Sequence, residues 1–401
     1  MKILHINGTS YGGTANFVFD LHNQLINKKN INSFVYVPKK RNFKNIIYPK
    51  SIFFKFHSLM KILLSKIFNK LFLKSDKTIT LSLLNSYEIL KIIKQIKPDI
   101  INLHWIGNEF MSLKEIKSID IPIIWTLHDM WVFLPFHHYD EKFNNVKKNI
   151  KQSSTINNFF LLRKKKLKNK KINFITTSDW MYNQIRYSNL FSNNQIKKIP
   201  CGINFQEWFP EDNKRSKSLF TLDENKKIIL FISMGGNNPR KGLNLLLDSL
   251  NYVQTKYELL IAGDQYPSHI KKTKFKFIDN PKDIHTRRSL YSASDLVVVP
   301  SNLEAFGLVA LEASACNTPS VIMENTGLNE VIKHKVNGYV SKFNDPKDFA
   351  NGINWILSEI SKNPDKFSNI KNYVKSKFDI QYVSERYLDT YKELINNNKI
   401  K

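Results

Sequence analysis

Two carboxylates and two cations carry the chemistry written most plainly into this chain. Glu304 and Glu312 stand eight residues apart in the run Pro-Ser-Asn-Leu-Glu-Ala-Phe-Gly-Leu-Val-Ala-Leu-Glu that starts at Pro300. The apolar residues before Pro300 read as a buried strand, and a helix is expected to begin near Phe306. A strand–loop–helix turn of this kind offers free backbone N–H groups and the positive end of a helix dipole, a natural seat for phosphate. Gly307 keeps the backbone approachable there. Eight residues make about two helical turns, so the carboxylates would face a ligand at two depths. Glu304 suits sugar hydroxyls and Glu312 a ribose. The plain structural alternative makes Glu304 a helix cap and Glu312 a surface charge, and spacing alone does not choose.

The second window, Asn-Asn-Pro-Arg-Lys-Gly ending at Gly242, also follows an apolar run and opens a helical pattern. Arg240 and Lys241 lie at that helix start, where positive charge opposes the dipole. An anionic partner explains the pattern better than solvent does. Two cations in a cleft could neutralise a leaving diphosphate without a metal. The third window is Trp-Thr-Leu-His-Asp-Met-Trp, ending at Trp131. His128 and Asp129 could line the facing wall of a cleft, although a buried histidine taken alone is more often a satisfied structural residue.

The elements that must position these windows repeat twice. Residues 2–7, 33–37, 99–103, 122–126 and 173–177 are apolar runs of strand length with helical patterns between them. Residues 8–13 form a glycine-rich loop between the first strand and the first helix. The alternation restarts with strands at 227–233, 258–262, 295–300 and 319–323 and helices at 242–252, 281–292, 306–315 and 328–333. Strands alternating with helices predict parallel sheets covered on both faces. A polar linker at 210–217 separates the halves, and three helices are expected from Pro346 onward. The expected domains are 1–205 and 206–380, which the resemblance given below makes an acceptor domain and a donor domain. Residues 381–401 are expected to form a helix that packs back on the first domain.

The chain has 401 residues, of which 42% are hydrophobic and 24% charged, values that suit two folded domains and exclude disorder or a collagen-like chain. Its 61 lysines and arginines against 34 acidic residues leave a formal charge of +27. A field this basic attracts nucleic acid, anionic lipid or phosphorylated substrates. No nucleic-acid motif or stacking platform accompanies it, so a nucleic-acid partner is not expected. Cys201 and Cys316 make no disulfide framework and suit a reducing compartment. The N-terminal apolar run is too short for a signal peptide, and no stretch predicts a membrane span. The expected location is therefore the cytoplasm.

Residues 52–71 repeat apolar side chains at helical spacing, with lysines on the other faces. They read either as a core-packing helix or as a helix lying on an anionic membrane. The basic run 163–171 reads as a solvated helix face, or as a contact to phosphate or membrane.

Taken together, these windows resemble glycosyltransferase family 4, retaining nucleotide-sugar transferases of the GT-B fold. The resemblance rests on Gly12-Gly13, the Thr-Leu-His-Asp-Met-Trp run ending at Trp131, and Ile-Pro-Cys-Gly-Ile-Asn ending at Asn204. It continues through Pro-Arg-Lys-Gly ending at Gly242, the Glu304–Glu312 pair and Asn-Gly-Tyr ending at Tyr339. It implies two Rossmann-like domains with parallel sheets facing across a cleft. It also implies transfer of a sugar from a UDP- or GDP-linked donor to a glycan or lipid-linked acceptor in lipopolysaccharide or capsule synthesis.

By the resemblance, Lys241 and Arg240 bind the diphosphate, helped by backbone at Ala305, Phe306, Gly307 and Leu308. Glu304 holds the sugar, Glu312 the ribose, and His128 touches the sugar from the first domain. Gly12 and Gly13 let the first loop close over the phosphates. Asp129, Trp131, His137 and His138 fall on the acceptor side. No metal and no cofactor beyond the nucleotide sugar are implied, and no Asp-x-Asp motif is present.

The chain departs from the family where Met234-Gly235-Gly236 replaces a basic residue many members carry, which leaves Lys241 and Arg240 more of the diphosphate. The hinge reads Cys-Gly-Ile-Asn ending at Asn204. Leu-Pro-Phe-His-His ending at His138 replaces a Thr-Gly-Gly-Cys-type stretch, a change expected to affect acceptor choice. A nucleotide-sugar 2-epimerase of the same architecture is the competing enzyme, disfavoured by the Thr-Leu-His-Asp-Met-Trp run. A non-enzymatic polyanion binder is the other alternative. A nicotinamide dehydrogenase is disfavoured because residues 8–13 do not spell the dinucleotide fingerprint.

Overall fold

A computed structural model describes residues 1–141, 155–168, 170–188, 190–191, 193–233, 238–268, 270 and 275–399. The chain divides into two compact units, Met1–Gly202 with Gln381–Lys401, and Ile203–Ile380.

The first unit holds a seven-stranded sheet. Its strands are β1 (Lys2–Ile6), β2 (Asn32–Tyr36), β3 (Ile46–Ile47), β4 (Ile100–Leu103), β5 (Ile123–Leu127), β6 (Ile172–Thr176) and β7 (Ile196–Lys198). They lie in the order β3-β2-β1-β4-β5-β6-β7, every pair parallel. The second unit holds β8 (Lys227–Ser233), β9 (Tyr257–Gly263), β10 (Lys276–Asp279), β11 (Leu296–Val299), β12 (Ser320–Met323) and β13 (Gly338–Ser341). Their order is β10-β9-β8-β11-β12-β13, again all parallel. β4, β5, β11 and β12 are buried at every residue, as sheets covered on both faces require. In each sheet the order reverses direction once, between β1 and β4 and between β8 and β11. Ligands of open α/β sheets sit outside the strand C-termini at such switch points.

Three helices follow Pro346, as expected: Pro346–Lys362, Ile370–Phe378 and Ile380–Lys399. The first packs Phe349, Ile353 and Ile356 into the second unit's core. The last belongs to the first unit. There Tyr391 and Tyr387 are fully buried. Asn102 Nδ2 donates to the Tyr391 hydroxyl at 2.6 Å, and Thr126 Oγ1 donates to Asn102 Oδ1 at 3.0 Å.

The helix Ile52–Phe68 is not a core-packing helix. Its buried residues are Lys61 and Ser65, while Ile52, Phe53, Phe56 and Leu59 are each more than 60% exposed. Polar groups face inward: Ser65 Oγ donates to Glu109 Oε1 at 3.0 Å, and Glu109 and Glu115 offset the burial cost of the Lys61 ammonium. Leu59, Phe56, Leu63 and Met60 form the outward arc, with Lys55 and Lys66 exposed at its flank. The run 163–171 is also not a simple solvated face. Arg163 donates to the carbonyls of Leu81 and Ser82 at 3.0 and 2.8 Å. Buried Lys164 donates to the carbonyls of Trp131 and Leu134, while Lys165, Lys166 and Lys168 are exposed.

Candidate functional site

In the second unit, the switch point collects opposite charges. β8 leads to a loop and a short turn Pro239–Lys241, and β11 leads through Pro300 to Glu304. Gly242 ends that turn at φ 75°, and a Cβ there would lie 1.8 Å from the Pro300 carbonyl oxygen. Only glycine lets the two loops approach this closely. Asn302 N–H donates to the Arg240 carbonyl at 2.9 Å, which fastens the loops together. The result is that Lys241 Nζ donates to Glu304 Oε1, with Arg240 Nη1 3.3 Å from the same oxygen. Burial works against the Glu304 charge, but Lys241 and Arg240 more than offset it and take the carboxyl down to about 2. Burial pulls the Lys241 ammonium below the usual lysine range, against Glu304. Arg240, Lys241 and Glu304 therefore form one group with a net positive charge.

Glu304 does not cap the following helix. Gly307 does, at φ 112°, where a Cβ would lie 2.5 Å from Leu328 Cδ2. Ala305 and Phe306 are buried beneath this turn and Leu308 is half-buried at the helix start. Glu312 is not a surface charge: it is 3% exposed. Arg287 Nη1 donates to its oxygens at 2.9 and 3.0 Å, and the Tyr291 hydroxyl donates to Oε2 at 2.8 Å. Burial and the neighbouring carboxylate hold the Tyr291 phenol protonated. Arg287 and Tyr291 escaped the sequence reading, although their four-residue spacing on an expected helix is a face-sharing signal.

In the first unit, neutral imidazoles take the place of charge. His128 and Asp129 directly follow β5. Asp129 accepts the Trp131 N–H at 2.9 Å, and His138 Nδ1 donates to its other oxygen at 2.5 Å. Burial would raise the Asp129 carboxyl, but His138, the Trp131 N–H and His128 outweigh it and lower it. Thr80 Oγ1 lies 2.9 Å from His138 Nε2, and Trp131 Nε1 donates to the Thr80 carbonyl at 2.8 Å. Trp131 is 3% exposed with the Lys164 ammonium 3.6 Å from its ring centre, so it is a wall rather than an open platform. Burial takes His128 down to about 4. His104 Nδ1 lies 3.1 Å from His128 Nε2, and His5 Nδ1 lies 3.0 Å from His104 Nε2. These two histidines also escaped the sequence reading, where each stood alone in or after an apolar run. His137 pairs with Ser75 Oγ at 3.0 Å and takes no part in the Asp129–His138 contact. Gly12 caps the helix Gly13–Ile26, and both glycines are exposed.

Residues 234–237 lie outside the described residues, as does Asn169 of the basic run. Among the described residues, no three His, Cys, Asp or Glu side chains cluster as metal ligands do. No described helix is long and apolar enough to cross a membrane.

Two Rossmann-like units in tandem, each with polar residues gathered at its strand ends, define a protein of the GT-B fold. Sucrose-phosphate synthase from Thermosynechococcus elongatus shares that fold. Its TM-score is 0.71 at 17% identity, over 99% of this chain and 100% of that one. The Anabaena protein HepE, solved with UDP and glucose, aligns with TM-score 0.65 at 18% identity, over 98% of this chain and 100% of that one. The model of Glycosyltransferase Family 4 matches residues 11–207, and that of Glycosyl transferases group 1 matches residues 213–374. The chain belongs to this glycosyltransferase family.

Among named relatives, an uncharacterized glycosyltransferase of Methanocaldococcus jannaschii is 29% identical over 49% of this chain and 54% of its own length. The D-inositol 3-phosphate glycosyltransferase of Segniliparus rotundus is 31% identical over 36% of this chain and 35% of its own. The chain thus matches about half, or less, of the length of these relatives.

Proposed function

We propose that the protein is a retaining glycosyltransferase that uses a UDP- or GDP-linked sugar. The acceptor is a glycan or lipid-linked glycan of a growing cell-surface polysaccharide, reached from the cytoplasmic side. The observation that carries this reading is the convergence of Arg240 and Lys241 on Glu304 at the switch point between β8 and β11. A donor diphosphate supplies the second anion that this net-positive group lacks, and Glu304 remains as acceptor for sugar hydroxyls. In the reaction, the bond from the anomeric carbon to the diphosphate oxygen breaks and a bond to the acceptor oxygen forms. The acceptor proton leaves with the departing diphosphate. Two fixed cations stabilise the charge that develops on that leaving group, the task a metal performs elsewhere. Glu312, held by Arg287 and Tyr291, serves as the ribose acceptor. His128 is the donor-sugar contact of the first unit, and Asp129, Trp131, His137 and His138 fall on the acceptor side. Gly12 and Gly13 belong to the loop over the phosphates.

A thermal-shift series in EDTA against UDP, GDP, ADP and their sugar conjugates tests this. A ligand at about 100 times its Kd adds about 2.7 kcal/mol. One nucleotide should stand out, and Lys241→Ala should abolish its shift. A flat series with and without manganese would sink the donor-site reading.

A specific observation adds a membrane partner: the helix Ile52–Phe68 turns its polar side inward and its apolar side out. An anionic bilayer satisfies both that face and the basic charge around 52–71 and 163–171, whereas a second copy of so basic a chain repels it. Flotation with phosphatidylglycerol vesicles should retain the protein at low salt and release it at high salt. Phe56→Glu with Leu63→Glu should abolish retention. Equal flotation of that variant would remove the helix from the membrane contact.

A further inference from the structure

Three imidazoles run in file through the first unit. His5 lies on β1, His104 directly follows β4, and His128 directly follows β5, so the file steps across three neighbouring strands. Successive rings stack, with centroids 5.3 and 5.4 Å apart at interplanar angles of 28° and 29°. Phe17 closes one side, 6.3 Å from His104 and 5.7 Å from His128. The middle ring is fixed through its backbone: its N–H donates to the Ile6 carbonyl at 2.9 Å, and its carbonyl accepts Trp125 Nε1–H at 3.1 Å. Two chain neighbours link the file to the acceptor-side pair: Asp129 follows His128, and Trp105, which follows His104, brings its Nε1 within 3.1 Å of His138 Nδ1.

Burial keeps all three rings neutral. A neutral imidazole has one N–H and one bare nitrogen. His104 uses both of its nitrogens within the file, so its single proton can point in only one direction. Two arrangements remain. If His104 donates to His5, then His5 Nδ1 accepts and His5 must carry its proton on Nε2. If His104 donates to His128, then His5 Nδ1 donates and His5 Nε2 is bare. His5 Nε2 is a buried atom with no hydrogen-bond partner among the described residues. Orphaned buried N–H groups are rarer than under-satisfied acceptors, so the second arrangement is the one this packing favours.

We infer that His104 is a positioning residue: it donates Nδ1–H to His128 Nε2 and thereby fixes His128 as the tautomer that carries its own proton on Nδ1. His128 then offers an uncharged N–H donor, not a bare nitrogen, at the edge that does not face His104. Its counterpart on any ligand is an oxygen lone pair. His5 acts behind His104 in the same sense, because its Nδ1–H occupies the His104 nitrogen that would otherwise take the proton. The tautomer follows from this chain's own geometry. Its bearing on catalysis rests on the reading of His128 as a donor-sugar contact.

The test is spectroscopic and needs no substrate. The full chain is labelled with ¹⁵N-histidine, and long-range ¹H–¹⁵N correlations are recorded at pH 7.5. The His128 signals are those that vanish in His128→Phe. The expected result is a protonated Nδ1 and a bare Nε2 in wild type. A proton on Nε2, or a mixture, overturns the inference. In His104→Leu, which removes the donor, His128 should move its proton to Nε2. In His104→Asn, whose amide N–H lies near the lost Nδ1, it should stay on Nδ1. An unchanged tautomer in His104→Leu would also overturn the inference. Should that variant fail to fold, wild type and His104→Asn decide. A transfer assay separates the two layers: His104→Leu should lower kcat tenfold or more, with His104→Asn closer to wild type. An Nδ1–H tautomer in a chain whose His128→Phe variant turns over normally would leave the inference standing and remove His128 from catalysis.

Discussion

The two polar clusters occupy equivalent places and solve different problems. Each lies beyond the C-terminal ends of central parallel strands, β4 and β5 in one unit and β8 and β11 in the other. The second unit gathers full charges: two cations on Glu304, and Arg287 on Glu312. The first gathers neutral rings, with Asp129 as its carboxylate. The surroundings explain the difference. Around Glu304 the loops bring cations faster than burial removes the charge, so the carboxyl falls to about 2. Around His5 and His128 no comparable anion offsets burial, and those rings titrate at about 3 and about 4. A parallel sheet supplies the address, and the loop composition decides whether charge or directed hydrogen bonding is stored there.

The widest separation of the two clusters should appear in acid. An imidazole that stays neutral in the folded chain but protonates in the unfolded one makes the unfolded state bind more protons. Stability is then full above about pH 6.5 and falls as pH drops towards 4. Each pKa unit is worth about 1.4 kcal/mol, so the buried histidines together should remove several kcal/mol from the first unit. Glu304 has its folded pKa depressed from 4.5 to about 2. Its stabilisation is present above about pH 4.5 and is lost as pH falls through about 2. Amide exchange followed separately on β4–β5 and β8–β11 should show the first sheet losing protection at the higher pH. Loss of both sheets in one window would break the comparison.

The next effect is on turnover. Glu304→Ala and Lys241→Ala should each lower kcat by about 10²-fold, the scale of losing one preorganised electrostatic group. Glu304→Gln should recover part of the sugar contact while leaving both cations without a counter-charge. Near-wild-type rates in either alanine variant would show that the ion cluster around Glu304 is structural.

Much of this is legible in the sequence, and the exceptions share a cause. The buried strands declare themselves as apolar runs: β8 occupies residues 227–233 as read, and β5 lies one residue from its expected place. β3, β7, β10 and β13 went unread. Two are only two and three residues long, β10 includes Lys276 and Asp279, and β13 opens on Gly338. All four lie at a sheet edge, and β10 is also half-exposed, so no full apolar run is needed there. The expected helix at 328–333 is a short turn, Gly327–Glu330. The Glu304 and Lys241 windows were legible because glycine, proline and charge fall together in them. The file of histidines was not, because its members are separated by 99 and 24 residues and only strand order brings them together. Ile52–Phe68 gave a helical period, but a period does not tell which side faces inward. Lys61 and Ser65 on the inner face reverse the usual sense, because Glu109 and Glu115 wait there.

The smallest effect probes how the second cluster is held. Tyr291 and Arg287 both reach Glu312, but they are not equal partners. Arg287 meets both carboxylate oxygens and stacks 5.0 Å from the Trp208 ring centre, while Tyr291 adds one neutral donor to Oε2. In Tyr291→Phe the carboxylate keeps its cation, and the ring keeps its place in the core. The expected loss is about 1 kcal/mol, read as a roughly fivefold faster exchange of β11 amides with little change in nucleotide shift. A loss several times larger would mean that Glu312 depends on the phenol rather than on the ion pair. The second unit would then be held by directed neutral hydrogen bonds, as the first is, and the contrast between charge in one unit and tautomer in the other would reduce to Glu304 alone.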